Sequence, residues 1–397
     1  MLDLPEKLES KLRKRQENNA FRSLSLPEDL IDFSSNDYLG FAKNLQIYEA
    51  ADKLLSKRQL VQNGTTGSRL LTGNNKLYME LEEMLARFHR TEAALVFNSG
   101  YDANVGFFAS VPQRGDIIFY DELIHASIRD GIELGSAKSY KFKHNDLGDL
   151  KSGIERSRNA RFPDGEIFVV TESVFSMDGD SPDLLSLTDL CDRNHWRLVV
   201  DEAHAIGVFG PKGAGLVQEL GLGDRVFARI VTFGKAMGCH GAAILGSDGL
   251  KNYLINFARS FIYTTGLPPH SLATIMAAYD RLSATDNFPD SHLSEQNITS
   301  LNENIIYFNQ KLETLNLKQF FIPSRSAIHC YIVPNNEKVK LLAQTLRERN
   351  FDVRPILSPT VPQGKERLRI CLHGYNKEEE ITSLLKTIKE NVKLLKG

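Results

Sequence analysis

Lys235 sits in Ile230-Val-Thr-Phe-Gly-Lys-Ala-Met-Gly238, where an apolar run gives way to a hydroxyl residue, a glycine and one lysine flanked by small residues. A primary amine at a strand end can condense with an aldehyde or carry a proton. A lysine in a surface turn is the plainer alternative. Gly234 and Gly238 would let backbone approach closely there. Upstream, Trp196-Arg-Leu-Val-Val200 runs into Asp201-Glu-Ala-His204. An acid at the carboxyl end of a buried strand can pair with a protonated ring nitrogen. His204 could reach an oxygen on the same ring. No further His or Cys stands at ligand spacing, which argues against a metal, while an Asp that caps a helix start remains open.

Four further stretches carry polar chemistry at expected strand ends. Asn98-Ser-Gly-Tyr-Asp-Ala-Asn-Val-Gly106 reads as a turn into a helix start, which presents free N–H groups to an anion such as phosphate. His125, in Asp121-Glu-Leu-Ile-His-Ala-Ser127, could stack on a flat ring or simply end a helix. Thr171-Glu-Ser-Val-Phe-Ser-Met-Asp-Gly-Asp180 offers Glu172 and Ser176 as hydrogen-bonding groups, or is a polar loop turning at Asp178-Gly179. Arg367 and Arg369 alternate with Leu368 and Ile370, so both face one side of a strand. A guanidinium fork there suits a carboxylate, and one of the two could be a surface ion-pair residue.

These residues need a scaffold, and the chain has the bulk for one. Its 397 residues allow a large core and more than one domain. Apolar residues make up 42% and charged residues 25%, with a net charge of −2, so no basic field points to nucleic acid. No apolar run is long enough for a membrane span. Lys7 to Arg22 mixes basic and acidic residues and reads as a solvated amphipathic helix. The four cysteines lack CxxC spacing, which argues against a metal cluster and for a reducing, cytoplasmic setting.

Candidate buried strands are Ala93–Phe97, Asp116–Tyr120, Glu166–Thr171, Arg197–Val200 and Arg229–Thr232, with helical patterns such as Lys76–Phe88 and Leu184–Asn194 between them. Such alternation predicts an α/β domain with a mainly parallel sheet, whose ligands sit at strand carboxyl ends. A smaller α+β domain follows, with strands Ala327–Val333 and Arg367–Leu372 and helices Glu337–Asn350 and Lys377–Lys393. The expected divisions are an arm over 1–45, which includes a strand-like Ile31–Ser35, a large domain over 46–290 and a small one over 291–397.

The ordered set Ser34-Ser-Asn-Asp-Tyr-Leu-Gly40, Gly67-Ser-Arg69 before Leu81-Glu-Glu83, His125-Ala-Ser127, Asp201-Glu-Ala-His204 and Thr232-Phe-Gly-Lys235 resembles the α-oxoamine synthases over nearly the whole chain. These are pyridoxal phosphate enzymes of the aspartate aminotransferase fold, fold-type I. The resemblance implies catalytic roles for Lys235, His125 and Asp201, with Lys235 holding the cofactor, Asp201 pairing with its pyridine nitrogen and His125 stacking on its ring. It puts His204 and Ser176 near the ring oxygen, and Gly100, Tyr101 and Thr232 on the phosphate. Thr264 or Thr265 would reach the phosphate of a neighbouring subunit, which implies a homodimer with shared active sites. Asn36 and Arg369 would hold the amino-acid carboxylate, and Arg22 and Thr360 would contact the acyl group. The implied activity joins an amino acid to an acyl-CoA or acyl-carrier thioester with loss of CO2. Details such as Ile262-Tyr-Thr-Thr-Gly-Leu-Pro-Pro269 and Pro359-Thr-Val-Pro362 favour L-alanine and a pimeloyl thioester. Glycine with acetyl-CoA, serine with palmitoyl-CoA, a plain aminotransferase and an inactive partner subunit are the alternatives. Two departures stand out: Tyr78 occupies a place where members often carry histidine, and Leu357-Ser358 a place where some carry arginine, with Arg354 nearby.

Overall fold

In the computed structural model of the chain, residues 3–22, 24, 26, 28–158, 165–283 and 292–395 are described. They form two compact units, one of Asn36–Ser176 and Ser181–Leu301, the other of Met1–Ser35, Met177–Asp180 and Asn302–Gly397. In chain order the strands are β1 (Ile31–Asp32), β2 (Ala93–Phe97), β3 (Ile117–Asp121), β4 (Lys138–Phe142), β5 (Ile167–Glu172), β6 (Arg197–Asp201), β7 (Ala228–Thr232), β8 (Ala242–Gly246), β9 (Ile328–Ile332), β10 (Phe351–Asp352), β11 (Arg354–Ile356) and β12 (Arg367–Cys371).

The larger unit is built on a seven-stranded sheet in the order β2-β8-β7-β6-β5-β3-β4. The run β7-β6-β5-β3-β4 is parallel, and β8 lies antiparallel between β7 and β2. The expected mainly parallel α/β sheet is therefore borne out. Its central strands are apolar without alternation because both faces are covered: every residue of β2 and of β5 is buried. Phe107 and Phe108, fully buried on the helix Gly100–Ser110, pack with Ile118, Val170, Val199 and Ile230 of the sheet. Two strands of this sheet escaped the sequence reading. The edge strand β4, Lys138-Ser-Tyr-Lys-Phe142, exposes its first four residues, and its lysines suit an edge that must not pair further. The inserted strand β8, Ala242-Ala-Ile-Leu-Gly246, opens on two alanines and ends on a glycine, and such small residues give a weak strand signal.

In the smaller unit β11-β12-β9 form an antiparallel sheet, and β1 pairs in parallel with β10. Helices Asn336–Glu348 and Glu378–Leu395 stand close to the expected spans. The strand-like Ile31–Ser35 shortens to two residues because Asp32 turns the chain, its Oδ1 accepting the N–H groups of Ser34 and Ser35 at 2.9 Å each. The N-terminal helix, Glu6–Glu17, buries no residue, as its charged composition implies.

Candidate active site

Because β2 runs antiparallel to β8 and β8 antiparallel to β7, β2 points the same way as the parallel strands. The carboxyl ends of β2, β3, β5, β6 and β7 thus meet along one edge of the sheet. Each is followed by one of the polar stretches singled out above. In open α/β sheets this edge is where ligands bind.

The expected anion cup falls at the carboxyl ends of β2 and β7. Ser99 caps the helix Gly100–Ser110, its Oγ accepting the Asp102 N–H at 3.1 Å. The first N–H groups of that helix, including those of Gly100 and Tyr101, carry its positive dipole end. Thr232 ends β7 beside them: a Cβ placed on Gly100 would stand 3.5 Å from Thr232 Oγ1. The Tyr101 ring is half exposed and its hydroxyl donates to Asp130 Oδ2 at 2.6 Å. Asn98 closes the other side, with Nδ2 donating to Thr264 Oγ1 at 3.1 Å and to the Thr265 carbonyl at 2.6 Å. Both threonines are therefore tied to the residue that directly precedes Ser99.

The acid is Asp201, the last residue of β6, 5% exposed. Its Oδ1 accepts the Ala203 N–H at 2.9 Å and its Oδ2 accepts Asn104 Nδ2 at 2.9 Å. Both oxygens of this buried side chain thus carry a hydrogen bond. His204 is buried three residues on, with Nδ1 at 2.7 Å from the Tyr38 hydroxyl and Nε2 at 2.7 Å from Lys235 Nζ. Asn36 Oδ1 accepts from the Tyr38 hydroxyl at 3.3 Å. Four residues from three distant parts of the sequence thus form one line that ends on the amine.

The loop that carries Lys235 is held by close backbone contacts. Gly238 has φ +61°, and a Cβ there would collide with the Ala42 backbone nitrogen. Gly207, φ +77°, leaves room for Ala236, whose Cβ would lie 2.5 Å from a Cβ at 207. Gly234 carries no such demand, since its nearest neighbour would stand 3.7 Å away. Only one of the two glycines flanking the lysine is thus required by backbone geometry.

His125 is exposed and caps the helix Ala126–Leu134. Its backbone N–H donates to Glu172 Oε1 at 2.6 Å, and its Nδ1 lies 2.7 Å from Ser127 Oγ. The protein under the ring and the nearby Lys235 lower its pKa, with Asp201 acting the other way. Glu172 is 3% exposed at the end of β5, the register partner of Asp201 on β6. Burial and then the Asp201 charge push its pKa up to about 8. Ser176, partly buried, follows on the same loop.

The aminotransferase class I and II family matches residues 28–388. The chain belongs to that family. It is 42% identical, over 97% of its length and 95% of the relative's, to the 8-amino-7-oxononanoate synthase of Emericella nidulans. With the enzyme of that name from Chlorobaculum parvum it shares 37% identity, over 91% of this chain and 89% of the other. Among solved structures, the serine palmitoyltransferase of Sphingomonas wittichii matches with a TM-score of 0.85 at 26% identity, covering 100% of this chain and 99% of that one. The 8-amino-7-oxononanoate synthase of Francisella tularensis matches with a TM-score of 0.73 at 28% identity, covering 93% and 99%. The α-oxoamine synthase resemblance and the expected fold are therefore borne out.

In this family member the remaining expected residues, Arg22, Thr360 and Arg369, lie in the smaller unit. Arg22 Nη2 donates to Thr360 Oγ1 at 3.4 Å, so two residues 338 positions apart are brought together. Arg369 is 7% exposed on β12, where Nη1 meets Cys371 Sγ at 2.9 Å. Arg367 differs from it: its side chain is 5% exposed, and its guanidinium pairs with Asp178 and donates to the Met177 carbonyl at 3.0 Å. The ion-pair arginine is thus Arg367, and it is buried, not on the surface. Arg354 Nε pairs with Asp352 Oδ1 at 3.0 Å. Tyr78, in the place of a family histidine, is buried, with Arg69 stacked 3.8 Å from its ring centre and its hydroxyl accepting the Leu267 N–H at 2.6 Å.

Sequence reasoning gave no role to Asn104, Ser127 or Tyr38. The available signal was polarity out of place: Asn104 falls among core-facing positions of Gly100–Ser110, between Ala103 and Phe107.

Proposed function

We propose that this chain condenses L-alanine with a pimeloyl thioester to give 8-amino-7-oxononanoate, CO2 and the free thiol, with pyridoxal phosphate as cofactor. One observation carries the reading: an amine, Lys235 Nζ, lies 2.7 Å from a buried histidine three residues beyond a buried, doubly hydrogen-bonded aspartate. The near full-length relatives of that name supply the choice of substrates.

The site suits that cofactor on its own geometry. The N-terminus of the helix Gly100–Ser110 lies beside the Thr232 hydroxyl, and such a set of donors suits a phosphate. Asp201 is the acid a pyridinium needs, and Lys235 the amine an aldehyde needs. When bound, the cofactor supplies an aldehyde that condenses with amines and a cationic ring that accepts the electron pair left at the substrate α-carbon.

The residues of the chain do the rest. Asp201 would keep the ring nitrogen protonated, and His125 would cover the ring. His204, held by Tyr38, and Ser176 would serve the ring oxygen. Gly100, Tyr101 and Thr232 hold the phosphate. Lys235 would hold the cofactor through its amine and, as a free amine, would move the proton at the substrate α-carbon. Asn36 and Arg369 receive the alanine carboxylate that later leaves as CO2. Arg22 and Thr360 take the acyl group; Arg22 is also the cation we assign to its distal carboxylate, because Arg354 is engaged with Asp352.

We further propose a homodimer in which Thr264 and Thr265 complete the partner's phosphate site. Tyr101, Phe257 and Tyr263 are 50%, 56% and 72% exposed, and such aromatic surface suits burial by a second copy. The four cysteines are free thiols, in keeping with a reducing cytoplasm.

The test is Lys235→Ala. The wild-type chain should purify with a visible absorbance that responds to alanine. The variant should lose both that band and activity while keeping its fold by circular dichroism. Identical visible spectra for the two proteins would sink the assignment.

A further inference from the structure

Asn104 is 2% exposed, and both protons of its Nδ2 are used: one goes to Asp201 Oδ2 at 2.9 Å, the other to Ser127 Oγ at 3.0 Å. Its Oδ1 has no hydrogen-bond partner. Charge fixes this orientation, because rotating the amide would turn Oδ1 against the Asp201 carboxylate. An amide N–H can only donate. Ser127 Oγ therefore accepts from Asn104, and its own proton is left for His125 Nδ1 at 2.7 Å. The Ser127 backbone N–H donates to the same Nδ1 at 3.2 Å. With two donors aimed at it, Nδ1 is an acceptor, and the proton of neutral His125 sits on Nε2.

We propose that Asn104 and Ser127 are positioning residues of this site: the amide locks the Asp201 carboxylate, and the amide–hydroxyl pair sets His125 as the Nε2–H tautomer. The charge on Asp201 thereby dictates the hydrogen-bonding direction of a ring on another loop. For its catalytic meaning this inference rests on the function proposed above. It explains a buried asparagine whose second polar atom goes unused, a cost that a merely structural position would shed by becoming apolar. The charged and titratable groups acting on His125 are Asp201, Lys235, Asp130 and Arg129, and its backbone is tied to Glu172. Hydrogen bonds that require an unprotonated Nδ1 disfavour the imidazolium, in the same direction as the lowered pKa of this ring.

The experiment is long-range 1H–15N correlation on the full chain with 15N-labelled histidine, with and without pyridoxal phosphate. The His125 signals are identified by their loss in His125→Gln. Wild-type His125 should show a protonated Nε2 and a bare Nδ1. Ser127→Ala and Asn104→Ala should each raise its proton affinity, by about three- to tenfold. In the loaded enzyme Asn104→Ala should also lower kcat about tenfold with little change in the KM for alanine. A protonated Nδ1 in the wild type, or proton affinity unchanged in both variants, overturns the inference. Ser127→Ala, the milder change, keeps the test open if Asn104→Ala does not fold. The cofactor-free spectra stand apart from the function, so an Nε2–H tautomer in a chain that binds no pyridoxal phosphate would refute the function and leave the network intact.

Discussion

Glu172 gives a prediction that needs no cofactor. It is 3% exposed beside Asp201, and its pKa stands at about 8 against an ordinary 4.5. In the unfolded chain it loses its proton near the ordinary value, while in the folded chain it keeps it to about 8. Between those limits the unfolded state binds fewer protons, so this group's contribution to stability is full at low pH and drains away as pH rises. The slope is up to about 1.4 kcal/mol per pH unit, or about 2 to 3 kcal/mol from pH 5.5 to 7.5. Glu172→Gln keeps an oxygen for the His125 N–H but has no proton to lose. Relative to wild type, the variant should therefore gain about 2 to 3 kcal/mol over that interval. The assay is urea unfolding of the cofactor-free chain at the two pH values, followed by the fluorescence of Trp196. That residue is the single tryptophan, it directly precedes β6, and it reports on the unit that holds Glu172. Parallel pH dependences for variant and wild type would refute the claim that Glu172 is protonated in the folded chain.

Two other outcomes follow from buried charges. Arg229, with a side chain 3% exposed, pairs with Glu202 at 2.5 Å and donates to the His89 and Ala214 carbonyls at 3.2 and 2.9 Å. Arg229→Met strands the Glu202 charge and should cost about 3 to 5 kcal/mol, read as a lowered unfolding midpoint. The two arginines of β12 should separate: Arg369→Lys should raise the KM for alanine about tenfold or more at unchanged melting temperature, and Arg367→Ala should lower the melting temperature by leaving Asp178 unpaired. Steady-state kinetics and a thermal melt on each variant check both halves.

Much of this was legible in the sequence where the signal is local. The helices Lys76–Phe88 and Leu184–Asn194 have the expected bounds because each begins at a side-chain cap, Asn75 and Asp183, ahead of a periodic apolar face. Asp201, His204 and Lys235 stood out because buried parallel strands are continuous apolar runs, and a polar residue where such a run stops is conspicuous. The rest depends on long-range pairing. Tyr38 meets His204 from 166 positions away, and Asn104 meets Asp201 from 97. Neither partner bears any mark in its own neighbourhood of the one it finds. Likewise the alternation of Arg367 and Arg369 showed a shared face but not which guanidinium is tied down, since Asp178 lies 189 positions away.

The central claim is the pairing of alanine with a pimeloyl thioester at a site built around Lys235. The most direct measurement incubates the purified, cofactor-loaded chain with alanine or glycine and each of pimeloyl-, acetyl-, succinyl- and palmitoyl-CoA, and follows released thiol and the amino ketone by mass. Alanine with the pimeloyl thioester should give the highest kcat/KM, with the ketone at the mass of 8-amino-7-oxononanoate. A preference for glycine with acetyl-CoA would contradict the account.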